Sequence, residues 1–305
     1  MIRGVGATRD ISGSMIISAS YRSDIPAFHG DWFLAALTAG EVAVTNPYNR
    51  RPSMVDLRPA AVDGYVFWTR NARPFARALA AVAQQQRPFV VQYTIIGYPR
   101  TLDANVIDTS LAIANAREIA RAYGSRVVVW RYDPILLAPE TETGWHRANF
   151  VRLADALAGI ADEVVVSFAQ LYAKSARNLA KAGVTWRLPD LAEQSALIAD
   201  LRAAAAERGI TLSLCTQPDL SAGSGAPGAR CIDAERLSDV AGRPVPAATK
   251  GNRPGCLCAE SRDIGAYDSC VHGCRYCYAV ADHAAVQHQM RQHRRPIARA
   301  LADQP

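Results

Sequence analysis

Residues 126–132 read RVVVWRY and residues 163–168 read EVVVSF. In each, three consecutive valines leave no polar position for a solvated face, so the strand must be covered on both sides. Strands of that kind belong to parallel sheets, whose crossovers are helical. Further apolar or β-branched runs lie on either side: SMIISAS (14–20), EVAVTN (41–46), GYVFWTR (64–70), PFVVQYTII (88–96) and TLSLC (211–215), making seven strands. Helical patterns alternate with them: DWFLAALTAG (31–40) stopped by Gly40, ARPFARALAAVAQQQ (72–86), Thr109–Tyr123 ended by Gly124, Trp145–Ile160, and Leu191–Arg208 followed by Gly209. The fold class that fits best is α/β, a full or partial (β/α) barrel of parallel strands; an open doubly wound sheet is second.

In such folds the chemistry sits beyond the C-terminal ends of the strands. Polar residues gather there: Arg22 and Asp24 after the first strand, Asn46 and Asn49 after the second, and Thr69, Arg70 and Asn71 after the third. Gln92 and Tyr93 end the fourth strand, Arg131 and Asp133 the fifth, and Ser167 and Gln170 the sixth. Each alone could cap a loop, but their bias to one rim marks that rim as the candidate active site.

The composition is that of a globular enzyme: 305 residues, 50% hydrophobic and 20% charged. No apolar run approaches the roughly 18 residues of a membrane span, and MIRGVGATRDISG has no apolar signal core. A cytoplasmic protein is expected. The net charge of +6 rests on arginine, since lysine occurs only at 174, 181 and 250. The arginines are scattered, and the one basic run, HQMRQHRRPIARA (288–300), reads as a solvated tail or surface helix.

After Leu220 the pattern changes. SAGSGAPGA (221–229) has the composition of a flexible linker. We therefore expect a disordered extension at 1–13, the barrel at 14–220, a cysteine-rich cap at 221–282 and a basic tail at 283–305.

Seven cysteines in a cytoplasmic chain point to metal or redox chemistry rather than disulfides. Within DSCVHGCRYCYAV (268–280), Cys270, Cys274 and Cys277 are spaced C-x3-C-x2-C. Zinc in structural sites takes four protein ligands. Three thiolates on a [4Fe–4S] cluster leave one iron without a protein ligand, and S-adenosylmethionine can chelate that iron through its amino and carboxylate groups. An electron from the cluster then breaks a C–S bond. Tyr276, just before Cys277, could pack against adenine.

This spacing, with its aromatic residue, is similar to the signature of the radical S-adenosylmethionine superfamily. The superfamily fold is a full or partial (β/α) barrel. In most members the motif follows the first strand; here that strand, ending in SASYRSDIP, has no cysteine. The late loop must therefore fold back over the barrel mouth. MIISASYRSDIPAF (15–28), NPYNRRPSMVDL (46–57), VFWTRN (66–71), VWRYDPILL (129–137), CID (231–233) and CAESRDIGAYDSCVHGCRYCYA (258–279) resemble a bacterial family of formerly unknown function with its motif at the C-terminal end. The resemblance covers Met15 to Ala281. It extends to an enzyme of arsinothricin biosynthesis, which implies transfer of the 3-amino-3-carboxypropyl group of S-adenosylmethionine to trivalent arsenic, with arsenite as substrate. The implied chemistry needs a one-electron donor such as a flavodoxin or ferredoxin.

On this reading Cys270, Cys274 and Cys277 hold the cluster and Tyr276 packs on the cofactor. Arg22, Asp24, Asn46, Arg70, Asn71, Arg131 and Asp133 are candidates for holding the methionine moiety or the substrate; an arginine fork suits a carboxylate. Cys215, Cys231, Cys256 and Cys258 make one full ligand set, open to three readings: an auxiliary [4Fe–4S] cluster, structural zinc, or capture of arsenite. His272 lies in the cluster loop at no ligand spacing, as a candidate for bonding a sulfur or contacting substrate. Two alternatives stand beside transfer: hydrogen abstraction by a 5′-deoxyadenosyl radical, and a zinc-organised module that contacts nucleic acid through the basic tail. The aromatic residues do not favour the latter, because they lie in buried-looking strands.

Overall fold

Both valine runs pair in one parallel sheet. The computed structural model describes residues 14–293, so the extension at 1–13 and the last part of the basic tail lie outside the described residues. In chain order the elements are β1 (Met15–Ala19), α1 (Ile25–Phe28), α2 (Gly30–Ala39), β2 (Glu41–Thr45), β3 (Pro52–Asp56), β4 (Val62–Thr69), α3 (Ala76–Gln84), β5 (Phe89–Thr94), α4 (Thr109–Tyr123), β6 (Val128–Ile135), α5 (Thr143–Leu157), β7 (Glu163–Phe168), α6 (Ala173–Lys181), α7 (Leu191–Ala206), β8 (Thr211–Leu214), α8 (Pro218–Ser224), α9 (Ala234–Ala241), β9 (Ser261–Asp263) and α10 (His283–His293). The seven-stranded sheet has the order β8-β7-β6-β5-β4-β1-β9, and every neighbouring pair in it is parallel. From β1 through β8 its strands follow chain order without the reversal that defines a doubly wound sheet. The architecture is a partial (β/α) barrel.

Both faces of the sheet are buried, as the valine runs require. Tyr65, Phe67, Val91, Tyr93, Val128, Trp130, Val164 and Val166 pack under the helices. The alternate positions Ile16, Val66, Val90, Val129 and Val165 form a second core on the concave side. That side is filled by Ala229, Cys231, Ile232, Leu237, Val245, Cys258 and Ala259. The segment after β8 is thus the plug of the barrel and not a separate cap.

Two expectations are corrected here. EVAVTN joins no parallel strand; β2 pairs antiparallel with β3 in a separate two-stranded sheet. Its alternating burial, unlike the continuous burial of β7, shows why: only one face is covered. The seventh parallel strand is β9, which has no apolar residue and pairs through Ser261, Arg262 and Asp263 with Ile16, Ile17 and Ser18. Nor is 221–229 a flexible linker. Its first residues complete α8, and the Leu214 amide donates to Pro227 O at 2.8 Å while Leu214 O accepts from the Ala229 amide at 2.8 Å. Gly228 serves close packing, since a Cβ there would lie 2.7 Å from Leu257 Cδ1. The boundary expected at 220 therefore falls inside one structure. The basic tail begins as α10, with the Asp282 carboxylate accepting from the Ala284 and Ala285 amides at 2.9 and 3.1 Å. Among the described residues no helix is long and apolar enough to cross a membrane.

Candidate functional site

Because β9 runs parallel to β1, the chain leaves it at the rim holding the C-terminal ends of β1 and β4. This is how a motif near the end of the sequence reaches the barrel mouth. Asp263 locks β9 there: one carboxylate oxygen accepts from Ser20 Oγ at 2.7 Å and Arg22 Nε at 2.8 Å, the other from Ser18 Oγ at 3.0 Å and the Tyr21 amide at 3.1 Å.

The loop 268–280 is then tied down along its length. The Asn105 amide donates to His272 O at 2.9 Å, and the Arg275 amide to Leu102 O at 2.9 Å. Gly273 has φ 71°, and a Cβ there would meet Asn105 Nδ2 at 3.1 Å and Ala104 Cβ at 3.2 Å, so both conformation and space favour glycine. Asp24 caps α1 by accepting from the Ala27 amide at 2.9 Å. Its other oxygen accepts from the Arg70 amide at 2.7 Å and lies 2.7 Å from His272 Nε2. One carboxylate so joins the ends of β1 and β4 to the loop.

Arg70, at the end of β4, completes the attachment. Its terminal nitrogens donate to the two oxygens of Asp103 at 3.1 and 2.6 Å, to Tyr276 Oη at 2.6 Å and to Cys274 Sγ at 3.1 Å. Tyr276 Oη also donates to Asp103 at 2.8 Å. Burial works against the Arg70 charge, but Asp103 first, then Cys274 and Tyr276, hold its pKa well above the ordinary value. The guanidinium stays charged.

Cys274 is buried; Cys270 and Cys277 are half-buried. Burial pushes all three thiols upward. Asp24 and Cys277 add to this at Cys270, Arg70 opposes it at Cys274, and amides at Ala279 and Val280 oppose it at Cys277. Among the described residues no three His, Cys, Asp or Glu side chains already surround a point where one metal ion could sit. A cluster does not require that, because each of its irons takes its own thiolate. Three mutually interacting soft thiols, with a guanidinium and the Ala279 amide (3.3 Å from Cys277 Sγ) directed at sulfur, fit an iron–sulfur group.

The remaining sequence candidates divide. Arg22, Asp24, Arg70, Arg131 and Asp133 do lie on the rim, but their side chains are engaged with protein. Arg22 is held by Asp263. Arg131 lies between Asp133, Gln92 and Cys231, with its guanidinium carbon 4.9 Å from the Trp68 ring centre. Tyr276 is buried in the Arg70–Asp103 network, its ring 5.6 Å edge-on to Tyr98. It has no free face for adenine, and that role is withdrawn. Asn46 is corrected as well: it caps the exposed β2–β3 turn by accepting from the Tyr48 amide at 2.9 Å. Asn71 caps its own loop, accepting from the Arg73 amide at 3.2 Å.

Of the four other cysteines, the structure brings two together at sulfur, Cys215 and Cys231. Their sulfurs are 3.5 Å apart, the Ile232 amide donates to Cys258 Sγ at 3.4 Å, and Cys256 packs at the edge of the concave core. For Cys231 the hydrogen bond with Cys215 lowers the pKa, but Cys258 and burial outweigh it and push the thiol up to about 12. Sequence reading missed Asp103, Asp263 and the half-buried mouth rings Tyr21, Trp68 and Tyr267. The available signal was the rim rule, applied past the strand ends into the loops and into the late segment.

A protein-family model described as Domain of unknown function (DUF1848) matches residues 16–279. The chain belongs to this family. The match takes in the barrel strands, the concave plug and the cysteine loop together, so the family's unit is the whole partial barrel closed by its own C-terminal segment. No curated protein matches the chain.

Proposed function

We propose that this protein is a radical S-adenosylmethionine enzyme in which Cys270, Cys274 and Cys277 hold a [4Fe–4S] cluster. The observation that supports it most is the thiol loop closed over the C-terminal ends of β1 and β4, with Arg70 bonded to Cys274. When bound, such a cluster supplies one electron and an iron open to the amino and carboxylate groups of S-adenosylmethionine, so that a C–S bond is cleaved reductively.

The chain's own residues position and enclose. Asp24, Arg70 and Asp103 keep the loop seated. Tyr21, Trp68 and Tyr267 offer apolar surface for adenine in place of Tyr276; Tyr21 stays un-ionised because burial, then Asp263, raises its pKa to about 12. Lys174 Nζ, 5.3 Å from the Tyr267 ring centre, supplies positive charge for a carboxylate at the mouth. The resemblance of the blocks quoted above to ArsL, the arsinothricin enzyme, favours transfer of the 3-amino-3-carboxypropyl group to trivalent arsenic. Arsenite is then the small-molecule substrate, and a flavodoxin or ferredoxin the electron donor.

The test is anaerobic reconstitution followed by reductant, S-adenosylmethionine and arsenite. The reading expects a brown protein with about four irons per cluster and formation of 5′-methylthioadenosine. Formation of 5′-deoxyadenosine with methionine would replace transfer by hydrogen abstraction. A colourless protein that leaves S-adenosylmethionine intact would remove the proposal.

A further inference from the structure

Inside the barrel, behind the loop, a second set of thiols is assembled from distant parts of the chain. Cys215 follows β8, and Cys231 comes from the segment that runs alongside β8 through the Leu214–Gly228 bridge. Their sulfurs are 3.5 Å apart. Cys258 Sγ accepts from the amide of Ile232, the residue next to Cys231, at 3.4 Å. Two cations face the pair: Arg131 Nη1 donates to Cys231 Sγ at 3.0 Å, and Arg253 Nη2 lies 3.9 Å from Cys215 Sγ. Arg131 is itself buried and oriented by Gln92 and Asp133. Cys231 is buried, whereas Cys215 is half-buried.

The spacing discriminates among ligands. Two thiolates on one tetrahedral ion at about 2.3 Å stand about 3.8 Å apart. Two thiolates on a cluster sit on different irons, separated by the metal–metal edge as well, and stand wider. A sulfur pair at 3.5 Å therefore matches one centre and not a cluster corner-to-corner distance. The adjacent guanidiniums compensate the charge of two thiolates, which a soft centre prefers as ligands.

We propose that Cys215 and Cys231 form a dithiolate site for one soft, thiophilic centre. The shared chemistry is that of a divalent thiophilic metal or of trivalent arsenic. The metal displaces two thiol protons. Arsenous acid condenses with the two thiols, forming two As–S bonds and releasing two waters, with no change of oxidation state. This site does not depend on a cluster at Cys270, Cys274 and Cys277.

The experiment uses the full chain, reduced and free of oxygen, in a variant with Cys270→Ser, Cys274→Ser and Cys277→Ser. Titration with Co2+ is expected to saturate at about one equivalent, with thiolate-to-cobalt charge-transfer absorption and sulfur neighbours at about 2.3 Å by X-ray absorption. Cys215→Ser, at the half-buried position, is expected to weaken Co2+ at least about 100-fold through loss of one soft ligand. Competition assigns the source: Zn2+ displacing Co2+ more strongly than arsenite marks a metal site, and the reverse marks an arsenic site. The proposal is overturned if the loop variant shows no charge-transfer band, if Cys215→Ser leaves binding unchanged, or if the loop variant, reconstituted with iron and sulfide, retains about four irons. The first and third readouts need no change at Cys215 or Cys231, so a folding failure there cannot mask the result.

Discussion

Asp103 accepts from both terminal nitrogens of Arg70, at 3.1 and 2.6 Å, in a pair whose side chains are 3% and 10% exposed. A buried pair of this kind is costly to break from one side, because the remaining charge keeps no partner. Asp103→Ala is expected to lower unfolding free energy by about 3–5 kcal/mol. Urea denaturation of the unreconstituted chain measures it. A loss under about 1 kcal/mol would place the pair among weakly coupled surface bridges.

Tyr276 and Trp68 separate anchoring from ligand binding. Tyr276→Phe removes hydroxyl bonds to Arg70 and Asp103, and a stability loss of about 1.5–3 kcal/mol is expected, with S-adenosylmethionine affinity unchanged once the loop is reconstituted. Trp68→Ala is expected to weaken that affinity by about tenfold, near the upper range for one aromatic contact. Equilibrium binding on both variants decides; the opposite pattern would return adenine to Tyr276.

His146 makes the fold acid-sensitive. It is fully buried, and burial, opposed by its bond to Leu136 O, lowers its pKa to about 4. Nε2 donates to Leu136 O at 3.3 Å, so Nδ1 accepts from Tyr132 Oη at 2.8 Å. The folded state thus binds its proton more weakly than the unfolded state, whose histidine titrates near 6.5. The contribution is complete above pH 6.5 and disappears as pH falls toward 4, about 3 kcal/mol at most. Urea midpoints at pH 7 and pH 4.5 are expected to differ less in His146→Gln than in the parent chain. Equal differences would exclude His146 as the source.

Gly265 follows the Asp263 lock and has no room for a side chain. A Cβ there would lie 2.0 Å from Ser20 Oγ and 2.4 Å from Ser20 Cβ. Gly265→Ala must displace Ser20 from Asp263, at a cost of about 1–3 kcal/mol by overpacking. Limited proteolysis is expected to cut near β9 more readily, since β9 has three residues and no apolar anchor. Unchanged cleavage and stability would show that Ser20 moves freely.

Much of the molecule was readable because it depends on local pattern. The helix expected at Thr109–Tyr123 has those bounds, and Gly40 ends α2 in the left-handed region at φ 74°. The valine runs declared their two-sided burial. EVAVTN misled because alternation is shared by half-covered strands of either kind of sheet. The plug at 229–259 was read as an irregular cap, since its burial is against the concave sheet and leaves no period of its own. Asp103 escaped notice for a related reason: its partner Arg70 is 33 positions away, and nothing in GYPRTLDANV (97–106) signals a buried acid.

The amino-acid order alone determined six of the seven parallel strands and the grouping of the cysteines into three and four, because side-chain period and residue type are local properties. Only the tertiary structure decided that β9 delivers the late loop to the barrel mouth, that Tyr276 bonds Arg70 and Asp103, and that Cys215 and Cys231 stand 3.5 Å apart at sulfur. Those outcomes depend on polar groups far apart in sequence finding partners once water is excluded, and the energy of such a pairing exists only after the chain has closed around it.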